Sequence, residues 1–364
     1  MADLDVLLVG PYPPPYGGIS AHVQRLARSI QAAGLSAGVL NHFQGQAADR
    51  MVIGELHRNA WRYWWAVRQA RARARVVHYH HSRWSTLIAT ALALRHAGAR
   101  TVATIHGQEL ERFLRARIPG VASLTRAALS TFDVLIAVSV EIESSLRAVG
   151  RPVKVIPAYL PAHDEGTRPS AQAAAFLCQG INLVVAAYRL TTDEQGRTIY
   201  GLETALDAFA SVAPARPELQ LAVFLANAPG SHRERELLAN LIDAVPDEHL
   251  RSRICVFCGE PLTPALGLTA VYLRPTLTDG DAVSIREAIA AGVPVVASDV
   301  VRRPVGVVTV GGDVSEWHAA ILEALEHPPL DGLAEGGADP ASEVMAIYAM
   351  LGGAAVASPQ PVRP

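Results

Sequence analysis

Lysine is almost missing from this chain of 364 residues: Lys154 is the only one. A permanent side-chain cation for phosphate anywhere else must be arginine. Cysteine is also scarce, at three residues. Cys255 and Cys258 stand in "RICVFCGE" with a C-x-x-C spacing, but no second Cys or His pair completes a zinc site, so they read as two thiols of a buried strand. No apolar run reaches the roughly 18 residues of a membrane span. The N-terminus lacks the basic, then apolar, then small-residue order of a signal peptide. Together these absences lead to the expectation of a cytosolic protein. G-x-G-x-x-G is absent, and no acidic residue closes the second predicted strand, which disfavours a dinucleotide-binding dehydrogenase. No recognisable nucleic-acid-binding module is present.

What is present is a globular composition, 50% hydrophobic and 18% charged, in a chain long enough for two domains. The formal net charge of -2 hides an asymmetry. Residues 1–160 carry +10, from 19 Lys+Arg and 9 Asp+Glu, and the remainder carries -12. A basic first half beside an acidic second half fits two domains with different partners.

Short apolar runs alternate with amphipathic segments. Strands are expected at 5–10, 36–42, 74–81, 100–107, 132–139 and 153–159. After a polar, Ala-rich linker at 160–175 the pattern restarts, with strands at 181–188, 219–227, 253–259, 270–276 and 294–299. Helices are expected between them, with closing helices at 314–327 and 342–351 and a disordered tail. Such alternation calls for parallel sheets with right-handed crossovers. The expected division is a domain at 1–165, a second at 176–335, a helix at 336–351 that packs back on the first domain, and a tail at 352–364.

Ligands of such sheets sit off the carboxyl ends of the strands, and the unusual residues fall there. "VGPYPPPYGGISAH" (9–22) sets Gly17 and Gly18 at the start of a helix, where amides approach phosphate. "TIHGQEL" (104–110) sets His106 just after a strand. "TDGDAVSIREAIAAGVPVVASD" (278–299) sets Asp279 and Asp281 around Gly280 before a helix that carries Glu287. "HYHH" (78–81) is strand-like and lacks a third ligand type nearby, so no metal site is expected.

These motifs, in this order and spacing, resemble the family-4 glycosyltransferases over roughly residues 3–350. The family is of the GT-B fold, with two Rossmann-like parallel-sheet domains facing across a cleft. It consists of retaining enzymes that use a nucleotide-activated sugar, and the resemblance implies no metal and no cofactor beyond that substrate. It also implies that the loop of Asp279, Gly280, Asp281, Ala282, Val283 and Ser284 wraps the donor. Asp279 would accept from sugar hydroxyls and Glu287 from the ribose. Arg189 would meet the diphosphate, Gly17 and Gly18 would approach the donor, and His106 would lie near the sugar.

Two departures stand out. The family's first acid is usually glutamate and here is Asp279. The family's Lys-Gly reads Tyr200–Gly201, so Arg197 is the expected substitute, with Arg286 in reserve.

The acceptor is expected on the basic first domain, near Tyr16, His80 and Trp84. "WRYWWAVRQARARARVV" (61–77) joins three tryptophans, a tyrosine and five arginines. It suits either an amphipathic helix packed on the core or an anionic membrane surface. The second alternative implies a lipid-linked or glycan acceptor at the cytoplasmic membrane face. A soluble small-molecule acceptor and a catalytically silent sugar-nucleotide binder are the competing expectations.

Overall fold

The computed structural model describes residues 3–44, 49–56, 59–81, 83–95, 98–107, 109–160, 168–279, 282–327 and 339–352. The chain divides into two compact units. The first comprises Met1–Pro14, Gly18–Asp164 and Gly337–Pro364, and the second Pro15–Gly17 and Glu165–Gly336.

The first unit holds seven strands: β1 (Leu4–Gly10), β2 (Ala37–Asn41), β3 (Val52–Glu55), β4 (Ala74–His81), β5 (Arg100–Ile105), β6 (Val134–Ala137) and β7 (Val153–Val155). All pair in parallel, in the order β3-β2-β1-β4-β5-β6-β7. The central strands are apolar along their length because a parallel sheet is covered on both faces. The helix Gly18–Ala32 turns Val23, Leu26, Ala27 and Ile30 onto Val6, Leu8 and Val39. The helix Pro340–Gly352 adds Val344, Ile347 and Tyr348 to the same core.

The second unit holds β8 (Ile181–Ala187), β9 (Leu219–Leu225), β10 (Ile254–Cys258), β11 (Val271–Arg274), β12 (Val295–Ser298) and β13 (Val307–Val310). These strands are also parallel, in the order β10-β9-β8-β11-β12-β13. Leu183, Val185, Leu221, Val223, Leu273 and Val296 face Phe209, Trp317 and Ile321 on one side. Val184, Phe224, Tyr272 and Val295 face Leu177, Ile285 and Ala288 on the other.

Several sequence expectations change. Residues 171–175 belong to a helix, Ala171–Leu177, whose first turn is capped by the Ser170 hydroxyl, so the expected linker is shortened. Strands β3 and β13 escaped notice because both are short edge strands with half-buried patterns and no continuous apolar run. The strand expected at 153–159 stops at Val155, two residues before Pro157, whose ring nitrogen has no proton to donate. The expected tail beyond Gly352 lies outside the described residues. All three cysteines carry free thiols.

Candidate active site

In each sheet the chain leaves its first strand on one side and later returns on the other. The crossover direction therefore reverses at one point, and ligands of open parallel sheets bind outside the carboxyl ends there. In the first unit this point lies between β1 and β4, and in the second between β8 and β11.

At the first switch point the polar groups are imidazoles. His78 and His80 alternate onto one face of β4, with ring centroids 4.2 Å apart. Gly10 closes β1 against them, and a Cβ there would stand 3.0 Å from His80 Cβ. His80 Nδ1 lies 3.2 Å from Nε2 of His106, the residue after β5. His22 arrives from the helix Gly18–Ala32, and its Nδ1 donates to the Ala158 carbonyl at 2.6 Å. That bond fixes the tautomer and turns the bare Nε2 lone pair inward. Among the described residues Nε2 of His22 and Nε2 of His80 are buried without a hydrogen-bond partner. Burial pushes His22 down to about 4 and holds His78 and His80 well below the usual imidazole range. His78 is bonded to the Tyr348 hydroxyl at 2.5 Å and to Thr104 Oγ1 at 2.7 Å.

His22, His80 and His106 thus bring nitrogen atoms within 4.8 Å of one another. Read from sequence, "HYHH" lacks a third ligand type nearby, and the structure brings up one more imidazole group from elsewhere in the chain. His22 is that group, supplied by a helix 56 residues upstream that only the crossover topology returns to β4. Trp84 has a different setting: its indole N–H donates to Thr125 Oγ1 at 2.8 Å and its ring stacks on Phe113. Tyr16 is half-buried and, contrary to its expected place on the first domain, belongs to Pro15–Gly17, the short segment that groups with the second unit.

At the second switch point the polar groups are guanidiniums. Arg189 follows β8, is exposed, and lies over the Tyr188 ring at 5.2 Å. Pro15–Gly17 groups with this unit, and a Cβ on Gly17 would come within 2.6 Å of Tyr188 Cδ2, so only glycine fits. Gly18 opens the helix Gly18–Ala32 of the first unit. Arg274 ends β11. Its Nε and Nη2 grip Asp279 at 3.0 and 3.1 Å in a two-pronged pair, and Arg303 Nη1 reaches the same carboxylate at 2.8 Å. Side-chain exposures of 11% for Arg274, 2% for Arg303 and 8% for Asp279 put all three out of bulk water. The flanking cations outweigh desolvation and hold the Asp279 carboxyl below its usual range. Arg274 also lies over the Tyr200 ring at 5.2 Å.

Gly201 has φ +66°, and a Cβ there would fall 1.8 Å from the Pro275 carbonyl oxygen. Only glycine lets this loop sit directly on the end of β11. The helix Val283–Ala290 starts behind Ala282, whose methyl side chain offers no cap, so among the described residues no N-cap side chain takes up its first amides. Val283 is buried and Ser284 half-buried. Glu287 is buried and accepts from Thr263 Oγ1 at 3.2 Å. Gly280 and Asp281 lie outside the described residues.

Arg197 points elsewhere. It is 60% exposed, and Asp193, four residues earlier, holds its Nε and Nη2 at 3.0 and 2.9 Å. Arg274 and Arg303 were missed from sequence. The two signals were a lone charge ending an apolar run in "VYLRPT" and the adjacent arginines in "VVRRPV".

Comparisons with known proteins fit this geometry. The model described as Glycosyltransferase Family 4 matches residues 16–158, and the model of Glycosyl transferases group 1 matches residues 195–327. No curated protein matches the sequence significantly. Among solved structures, sucrose-phosphate synthase from Thermosynechococcus elongatus superposes with a TM-score of 0.66 at 18% identity, over 95% of each chain. A trehalose-6-phosphate structure from E. coli bound with UDP-2-fluoro glucose superposes at 0.60 and 15% identity, over 95% of this chain and 96% of that one. An alpha,alpha-trehalose-phosphate synthase from Burkholderia xenovorans in complex with glucose-6-phosphate gives 0.64 at 14%, over 95% and 96%. At these identities the likeness establishes the fold, and the two family models span about three quarters of the chain. The chain therefore belongs to the family-4 glycosyltransferases, group 1, with the two parallel-sheet domains of the GT-B fold.

Proposed function

We propose that this glycosyltransferase takes a sugar from a nucleoside-diphosphate sugar and passes it to an acceptor hydroxyl with retention of configuration. The carrying observation is the concentration of guanidinium groups at the β8–β11 switch point, beside a helix start that Ala282 leaves without an N-cap side chain. In the transfer, the bond from the anomeric carbon to the diphosphate oxygen breaks and the bond to the acceptor oxygen forms on the same face. The acceptor proton passes to the leaving phosphate. Negative charge grows on the diphosphate, and preorganised cations and amides stabilise it there. Arginine and amide dipoles do this work in place of a divalent ion, so excess chelator should leave turnover unchanged. Glu287 is assigned to ribose hydroxyls, since ionised carboxylates accept strongly from hydroxyl pairs. In the first unit, His106 is the candidate for contact with the transferred sugar.

A thermal-shift panel of nucleoside diphosphates and their sugars tests the donor. Stabilisation should follow the diphosphate, and Arg189→Ala should weaken every member. Equal shifts in wild type and variant would remove Arg189 from the site.

For the acceptor, the proposal is a lipid-linked glycan at an anionic membrane face. Its support is the helix Ala60–Arg71, where Trp61 is 68% and Trp65 49% exposed. Arg68 lies over Trp64 at 5.2 Å. Three arginines of this stretch have other partners: Arg71 donates to the Ala93 and Arg95 carbonyls, Arg73 pairs with Asp3, and Arg75 with Asp5. Arg62 and Arg68 are therefore the cations assigned to the membrane. The second reading is a soluble sugar-phosphate acceptor. It is favoured by the glucose-6-phosphate named for the Burkholderia structure. Pelleting with anionic vesicles separates the two, since a soluble acceptor requires no vesicle binding.

A further inference from the structure

Among the described residues, the buried cluster at the end of β11 holds more cations than anions. Among the described residues, Asp279 is the one carboxylate that either Arg274 or Arg303 meets. Two permanent cations therefore share one anion in a site shielded from water. A buried charge without a partner is costly, and structures keep one only where something compensates it.

The position of the excess is informative. Arg274 is the last residue of β11, beside β8, at the point where the crossover direction of the second sheet reverses. Its guanidinium is held in plane by three constraints. Asp279 grips two of its nitrogens, the Ala186 carbonyl at the end of β8 accepts from Nη1 at 3.4 Å, and the Tyr200 ring lies against it. Arg303 is fixed separately, with Nε on the Ser298 carbonyl at 3.0 Å and Nη2 on Ser298 Oγ at 3.2 Å. A guanidinium oriented this way meets an incoming anion with little further loss of side-chain freedom. Arg197, the other cation near position 200, is exposed and already neutralised by Asp193.

We propose that Arg274, braced by Asp279 and Arg303 and backed by Tyr200, is the second cation of the diphosphate seat, beside Arg189. The positive charge missing from position 200 has moved from a loop to the end of the neighbouring strand. The inference rests on the nucleoside-diphosphate donor proposed above. Arg274 contacts the leaving group, while Tyr200 and Arg303 hold Arg274 and Asp279 in place.

The test is calorimetric titration of UDP and GDP, with uridine and guanosine as phosphate-free controls. Wild type, Arg274→Met, Arg274→Lys and Arg197→Gln are compared. Arg274→Met should weaken the bound diphosphate by about tenfold or more while changing the nucleoside by less than about twofold. Arg274→Lys should recover part of the loss. If Arg274→Met does not fold, Arg274→Gln, which removes the charge, keeps a donor toward Asp279 and leaves the Arg303–Asp279 pair intact, is titrated in its place and should show the same selective loss. Wild-type binding of a diphosphate that Arg274→Met leaves unchanged overturns the inference and leaves the donor proposal intact. Loss in Arg197→Gln with none in Arg274→Met returns the role to Arg197. Absence of any diphosphate binding by wild type overturns both.

Discussion

An excess of buried positive charge has a consequence for stability that can be measured without substrate. Replacing Asp279 by Asn keeps the side-chain volume and removes the only acid that Arg274 and Arg303 share among the described residues. Two buried cations are then left together. Breaking a buried pair from the acid side costs about 3–5 kcal/mol. The second unit is of a size at which 1 kcal/mol moves Tm by about 2–4 °C, so its transition should fall by roughly 6–20 °C. Arg274→Met makes the opposite change. It leaves a balanced Arg303–Asp279 pair at 2.8 Å. What is lost is a two-pronged hydrogen bond, and the cost should be only about 1–2 kcal/mol. The assay is scanning calorimetry of the two single variants and the double. The double variant should be less damaged than Asp279→Asn alone, because one of the two stranded cations is gone. Equal losses in the two singles, or a larger loss in Arg274→Met, would show that the cluster is balanced and that no surplus charge waits for a ligand.

The remaining predictions concern other parts of the molecule. His22 is held to about 4 by burial against an unfolded value near 6.5. The unfolded chain therefore binds the proton first. Stability from this group is complete above about pH 6.5 and is lost as pH falls toward 4. His22→Gln should flatten the dependence of Tm on pH in that window, and an unchanged slope would refute the assignment. Asp279, whose carboxyl is lowered, acts in the window below: its contribution is present above about pH 3.9 and disappears as pH falls through the folded value. Gly201→Ala places a methyl on the Pro275 carbonyl in a left-handed backbone and should cost at least about 2 kcal/mol, read as a lower Tm. Trp61→Ser with Trp65→Ser should abolish pelleting with anionic vesicles and leave the melting curve unchanged, and pelleting that persists would move the membrane contact elsewhere.

The sequence made the layered architecture legible because parallel strands covered on both faces leave continuous apolar runs. "DVLLVG", "INLVVAAY" and "PVVASD" each contain a strand. Edge strands leave weaker traces, and β3 and β13 were missed for that reason. The candidate site was legible where chemistry sits just after a strand, as at His106, Arg189 and Asp279. It was illegible where partners come from distant segments. Nothing local marks His22 as the neighbour of His80, or Arg303 as the second clamp on Asp279. Arg197 illustrates the opposite difficulty, a residue whose structural partner competes with its expected one. Its type and place suggested phosphate, but the D-x-x-x-R spacing with Asp193 already offered it a partner. Arg274 was hidden because a single charge closing an apolar strand reads as a boundary.

The two switch points carry contrasting polar chemistry, and the contrast bears on how each can act. Guanidiniums stay charged at every physiological pH, so the seat between β8 and β11 is cationic before any ligand arrives. The imidazoles between β1 and β4 are kept neutral by a different arrangement. The Ala158 carbonyl pins the His22 proton on Nδ1, and burial depresses His22, His78 and His80 together. Protonating one of them would bury a cation among rings 4 to 6 Å away. A layer locked in this state holds His106 through His80 as a fixed hydrogen-bonding group. The contrast is one of kind: neutral imidazoles gather in the first unit and arginine in the second, in a chain whose only lysine is Lys154.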